Sequence, residues 1–233
     1  MRFKINFTKN TELVSVNNQS LVNSYIHTCL GRNNPYHDAK NDYSVSTLQG
    51  GRLNEDKLTI SLNNGGFIVV TSLNVEFLNK LLIGLIGNPK FFAGMTFCGA
   101  DYIEENFFDG WNHFATLSPF LIKAYVDKKS YGFLTLNDAD FEVKVKEYLI
   151  KKLTAIDSSL DLKNFDVKIP EHTNHKVKSI MIHNVVNKAN QCQISIHTNK
   201  KVAKLLYSIG LGQSTGSGFG TIYKTENRAK YIG

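Results

Sequence analysis

A chain of 233 residues with 42% hydrophobic and 20% charged side chains has the composition of a globular protein, long enough for one large core or two small ones. Its 27 Lys and Arg outnumber 20 Asp and Glu, and the resulting net charge of +7 favours a polyanionic partner, nucleic acid first among them. No apolar run is long enough to span a bilayer, no basic amphipathic helix points to a membrane surface, and three scattered cysteines (Cys29, Cys98, Cys192) exclude a disulfide framework or a zinc ribbon.

Phe3, Ile5 and Phe7 alternate with polar residues, which predicts a half-buried first strand and not the apolar core of a signal peptide. A cytoplasmic location follows as the expectation. A helix is predicted from about Ser20 to Arg32, with Leu21, Tyr25 and Cys29 on one face and Gly31 and Pro35 at its end. A polar loop carrying His37 comes next, then strand-like runs at Tyr43–Leu48, Leu58–Leu62 and Phe67–Thr71. Val75–Ile86 reads as a second helix capped by Asn74 and stopped by Gly87 and Pro89; Phe91–Phe97 reads as a strand. Asn106–Pro119 is the expected linker.

The order then repeats. Strands are predicted at Leu121–Val126 and Gly132–Leu136, a helix at Ala139–Ile156 capped by Asp138, and strands at Lys178–Val185 and Gln191–His197. A short helix over Lys200–Ile209 and a last strand over Thr221–Lys224 close the chain. Strand, helix, strands, helix, strand in each half is the order of a ferredoxin-like unit. The expected fold is therefore α+β: two tandem ferredoxin-like (RRM-like) domains, residues 1–115 and 116–233.

Between the last helix and the last strand, IGLGQSTGSGFGTIY packs five glycines into eleven residues. Glycines permit positive φ and remove side chains, so successive backbone N–H groups can converge on an anion, and Ser214, Thr215 and Ser217 add hydroxyl donors. The Lys-Ser/Thr ending of a phosphate-binding Walker loop is missing, and the loop runs from helix to strand, opposite to a Rossmann fingerprint. A mononucleotide-binding module thus ranks last among the readings.

Gly-apolar-Gly, a few small or polar residues, then Gly-Phe-Gly before the final strand of a basic two-domain chain resembles the C-terminal loop of the CRISPR-associated repeat endoribonucleases. These belong to the repeat-associated RNA-binding (RAMP) superfamily, and LSPFLIKAY near Leu117–Tyr125 is similar to the strand opening their second domain. The resemblance implies metal-free cleavage of CRISPR precursor RNA into guide RNAs, with Gly210, Gly212, Ser214, Thr215, Gly216, Ser217, Gly218, Phe219 and Gly220 contacting the RNA backbone. It also implies a catalytic histidine near the end of the first helix or in the loop beyond it. His37 in PYHDAK and His27 on the helix both satisfy this, with Lys40 as electrostatic stabiliser. Histidine suits either proton transfer because its pKa lies near neutrality, and spacing does not say which is base and which is acid.

Lys200 and Lys204, one turn apart, and Arg52 after the Gly50-Gly51 turn are further candidate phosphate contacts. His172 and His175 form a His-x-x-His pair without a cysteine or carboxylate cluster, so neither a metal nor a cofactor is expected. The expected partner is the CRISPR repeat RNA; a CRISPR effector complex and a second copy of the chain are further candidates, and no membrane is. The alternative function is a non-catalytic crRNA-binding subunit of such a complex, since superfamily relatives keep the fold without the cutting residues.

Overall fold

The computed structural model describes residues 1–31, 33–36, 42–125, 131–171, 175–182 and 185–226. The first half contains β1 (Arg2–Phe7), β2 (Val14–Ser15), α1 (Gln19–Leu30), β3 (Tyr43–Val45), β4 (Arg52–Leu53), β5 (Thr59–Ser61), β6 (Gly66–Ser72), α2 (Val75–Gly87) and β7 (Phe97–Tyr102). Its main sheet has the order β3-β6-β1-β7, every neighbour antiparallel, with a small sheet β2-β5-β4 beside it. The second half contains β8 (Gly110–Thr116), β9 (Lys123–Tyr125), β10 (Tyr131–Phe133), α3 (Phe141–Ile156), β11 (Asp166–Lys168), β12 (Lys176–Ile182), β13 (Val185–Gln191), β14 (Gln193–Thr198), α4 (Lys200–Ile209) and β15 (Ile222–Lys224). Its main sheet, β11-β14-β8-β15, repeats the first sheet's order, while β9-β10 and β12-β13 form hairpins outside it. Both halves are thus ferredoxin-like, the second carrying two hairpin insertions.

Each sheet buries one face under its helices. Ile5, Phe7 and Val70 meet Val22, Ile26, Phe77 and Leu81 in the first unit; Phe114, Ile194 and Ile196 meet Leu149, Leu153 and Leu206 in the second. Each such side chain contributes about 1.5–3 kcal/mol on burial. Helix ends follow local chemistry. Asn74 accepts from the Phe77 amide (3.0 Å), and Asn199 accepts from the Val202 amide (3.0 Å).

Four sequence expectations need correction. Asn106–Pro119 is no linker, because Gly110–Thr116 is a central strand of the second sheet; the two sheets divide the chain near Gly110 rather than at residue 115. Phe91–Phe97 is not a strand: Ala93 and Gly94 both have positive φ, turning the chain so that Phe91 and Met95 enter the core, and β7 starts only at Phe97. Asp138 does not cap α3; its carboxylate closes a turn by accepting from the Thr135 amide (2.6 Å), and the helix begins at Phe141. Val185–Gln191 is an unpredicted strand, because VVNKANQ lacks the alternation that a half-buried strand carries.

Candidate nucleic-acid interface and active site

The glycine-rich segment joins α4 to β15 and docks on the first unit. Its 3-10 turn, Thr215–Ser217, lies against β3 and α1. The Thr215 hydroxyl donates to Tyr43 O (2.9 Å), and Asn23 Nδ2 donates to Ser217 O (3.3 Å). A Cβ on Gly216 would strike the Tyr43 ring at 2.7 Å, and one on Gly218, which has φ +96°, would collide with the Gln19 side chain. Gln19 in turn donates to Asn23 Oδ1 (3.0 Å). Gln19, Asn23 and His27 recur every fourth residue, so they form one stripe along α1, and the two residues preceding His27 on that stripe touch the loop. His27 is half-buried at the end of this stripe.

At the loop's other end glycine is needed for close approach. Leu211 N donates to Gly220 O (2.8 Å), Gly220 N to Pro119 O (3.0 Å) and Gln213 N to Leu121 O (2.7 Å). A Cβ on Gly212 would collide with Leu121 O, and one on Gly220 with Leu211 O. Gly210 N caps α4 by donating to Leu206 O (2.8 Å), and Ser217 N donates to Ser214 O (2.9 Å).

Part of the expected cradle of amides is therefore engaged within the chain. Five of the loop's amides are spent inside the chain, and most of the segment is buried. Phe219 is 2% exposed in a cluster with Leu121 and Ala189, so its side chain packs. Thr215 is 1% exposed. Gln213, Ser214 and Ser217 keep partial exposure, and Ser214 adopts left-handed φ of 55°. These three are the part of the loop that presents polar groups outward.

A residue that sequence reasoning did not single out fixes the loop from below. Lys152 on α3 donates from Nζ to Gly210 O (2.8 Å) and Gly212 O (2.9 Å). Burial pulls its ammonium down to about 7 from the ordinary 10.5. The signal was available: Lys152 follows Val145 and Leu149 by seven and three residues, putting a lysine on the apolar face of the helix.

A cleft of about 390 Å³ opens between the two units, lined by Asn18, Gln19, Gln49, Pro119, Lys178 and Gln191 among others. Gly50 and Gly51 also line it, and Arg52, exposed on β4, follows them directly. Lys200 and Lys204 are exposed on α4, but Lys200 opens the helix, about 15 Å from the glycines at its far end. His37 and Lys40 lie outside the described residues, as does His172. His175 accepts a bond from Gln193 N (3.0 Å). Among the described residues no three His, Cys, Asp or Glu side chains gather where a metal could bind, and no helix is long and apolar enough to cross a membrane.

Two ferredoxin-like units of identical strand order are thus tied together by a C-terminal glycine-rich loop. The family model described as CRISPR associated protein Cas6, C-terminal, matches residues 103–223, and the chain belongs to that family. Among solved structures, a Cas6-related protein from Pyrococcus furiosus superposes with a TM-score of 0.83 at 17% identity, covering 97% of this chain and 99% of that one. A RAMP protein described as binding different RNA substrates gives 0.83 at 16% identity, covering 96% and 99%. A CRISPR associated protein Cas6 gives 0.79 at 18% identity, covering 97% and 99%. At such identities these likenesses establish the fold. No curated protein matches the chain by sequence.

Proposed function

We propose that this protein is an endoribonuclease that binds the repeat of CRISPR precursor RNA and cuts it into guide RNAs without a metal. The carrying observation is the α1 stripe: Gln19 and Asn23 hold the glycine-rich loop, and His27 is the next residue of the same line. Family membership supports the choice of substrate. In the proposed reaction one of His37 and His27 takes the proton from the RNA 2′-hydroxyl, whose oxygen attacks the adjacent phosphorus. The other gives a proton to the departing 5′-oxygen, and Lys40 offsets the charge on the phosphorane. A 2′,3′-cyclic phosphate and a 5′-hydroxyl result. The outward groups of Gln213, Ser214 and Ser217, together with Arg52 and exposed lysines, supply backbone contacts.

The test is incubation of labelled repeat RNA with the protein in EDTA, beside His37→Ala and His27→Ala. Cleavage should survive chelation, stop when the 2′-hydroxyl at the cut is replaced by hydrogen, and fall by about a hundredfold or more in one histidine variant. Tight, salt-sensitive binding with no cleavage would instead make the chain a crRNA-holding subunit of an effector complex.

A further inference from the structure

The second sheet has one face under α3 and α4 and another that the first unit covers only in part. On that second face Ala115 and Tyr223 are register partners, and Tyr223 packs with Phe67, Val69 and Ile103 of the first unit. About 14 Å farther along β8 the face is open. There Trp111 and His113 of β8 stand opposite His197 and Ser195 of β14, the two central strands. Trp111, the chain's single tryptophan, is 40% exposed, an unusual position for so large an apolar side chain. Its ring meets that of His197 edge to face, centroids 5.2 Å apart at 65°, and Lys168 Nζ lies 5.3 Å from its centroid.

The surrounding polar groups hold these side chains in place. His197 Nδ1 sits 2.8 Å from Asn164 O; a carbonyl only accepts, so Nδ1 carries the hydrogen and the ring orientation is fixed. His113 Nδ1 is 2.8 Å from Ser195 Oγ. The carboxylates at this end are engaged within the chain: Asp166 pairs with Lys146 (2.9 Å), Asp109 accepts from Lys200 N (2.8 Å) and Asp161 accepts from Lys163 N (3.2 Å). Lys168 is exposed beside the ring.

We propose that this open face is a second RNA subsite, where a base from a single-stranded segment stacks on Trp111 while Lys168 takes a phosphate. Aromatic side chains on the two central strands of a four-stranded ferredoxin-like sheet are the arrangement with which RRM domains stack unpaired bases, and stacking is the interaction every base can make. The inference rests on RNA being the ligand of the proposed function. It adds a holding site separate from the cut, so it concerns affinity and not the chemical step.

Because Trp111 is the only tryptophan, its fluorescence reports this face alone. Titration of the full chain with oligouridylate, which lacks the repeat sequence, should quench that emission in a saturable and salt-sensitive way. Trp111→Ala should weaken binding of repeat RNA carrying its single-stranded flank by about tenfold, and Trp111→Phe should restore most of it. Unquenched emission at RNA concentrations where a labelled repeat is bound, or equal affinity of Trp111→Ala and the parent protein, would overturn the proposal. Failure of the nuclease reading has a different signature, namely no cut product while quenching by single-stranded RNA persists.

Discussion

A lysine buried beneath a loop is a rare use of a charge, and Lys152 shows what it does. Two carbonyls, Gly210 O and Gly212 O, accept from its ammonium at the C-terminal end of α4, where a cation is also favoured by the helix dipole. Burial opposes the charge and lowers its pKa to about 7. Between that value and the ordinary 10.5 the unfolded chain holds a proton that the folded chain lacks. Stability at this site therefore rises with pH across that window and is lowest, and constant, below it. Lys152→Met removes the titration and leaves both carbonyls unpaired. The unfolding free energy of the parent, measured by urea titration against this variant, should gain on it steadily from about pH 7 to pH 10. A difference that stays flat over the range would mean the carbonyls hold the proton against desolvation.

At the scale of elements, the chain is readable where the signal is local and opaque where it is not. The helices over Val75–Gly87 and Lys200–Ile209 announce themselves by a capping Asn and an apolar stripe. The glycine-rich segment is visible too, but its contact partners are not. Gly212 abuts Leu121, ninety-one positions earlier, and Gly216 abuts Tyr43 from the other unit. Composition suggested a phosphate cradle; long-range packing uses the same glycines to bring backbones together. His27 was likewise half legible: the sequence places it on the first helix, but neither the line it shares with Gln19 and Asn23 nor the loop lying along that line was read from it. The packing role predicts a contrast. Gly220 has φ +69° and faces Leu211 O, so Gly220→Ala should cost about 3 kcal/mol in chemical denaturation. Gly132 has open space and no positive φ, and Gly132→Ala should change stability by less than about 0.5 kcal/mol.

Across the whole molecule, two separate cores are held in one arrangement by a shared apolar cluster and a few polar ties, and one of those ties starts at the second residue. Arg2 is 1% exposed. Its Nε donates to Thr71 Oγ1 (2.8 Å) in the first sheet, its Nη1 donates to Ile222 O (2.7 Å) in the second, and its guanidinium lies 3.6 Å from the centre of the Tyr207 ring. Ser118 and Leu117 accept from Thr47 N (2.8 Å) and Gln49 Nε2 (3.2 Å) nearby. None of this is legible at the sequence level, where Arg2 reads as the solvent-facing partner of Phe3 on an alternating strand. Because Arg2 belongs to neither apolar core, Arg2→Ala leaves both cores complete yet strips a buried hydrogen-bonding group from the seam, at about 1–3 kcal/mol for each partner left unpaired. The loss falls on the coupling between units. Trp111 fluorescence follows the second unit, while circular dichroism follows both, so the two probes should give one coincident urea transition for the parent protein. In Arg2→Ala they should separate, with one unit unfolding at lower denaturant. Coincident but equally shifted curves would assign Arg2 to a single cooperative fold in which the seam is as much core as either apolar cluster.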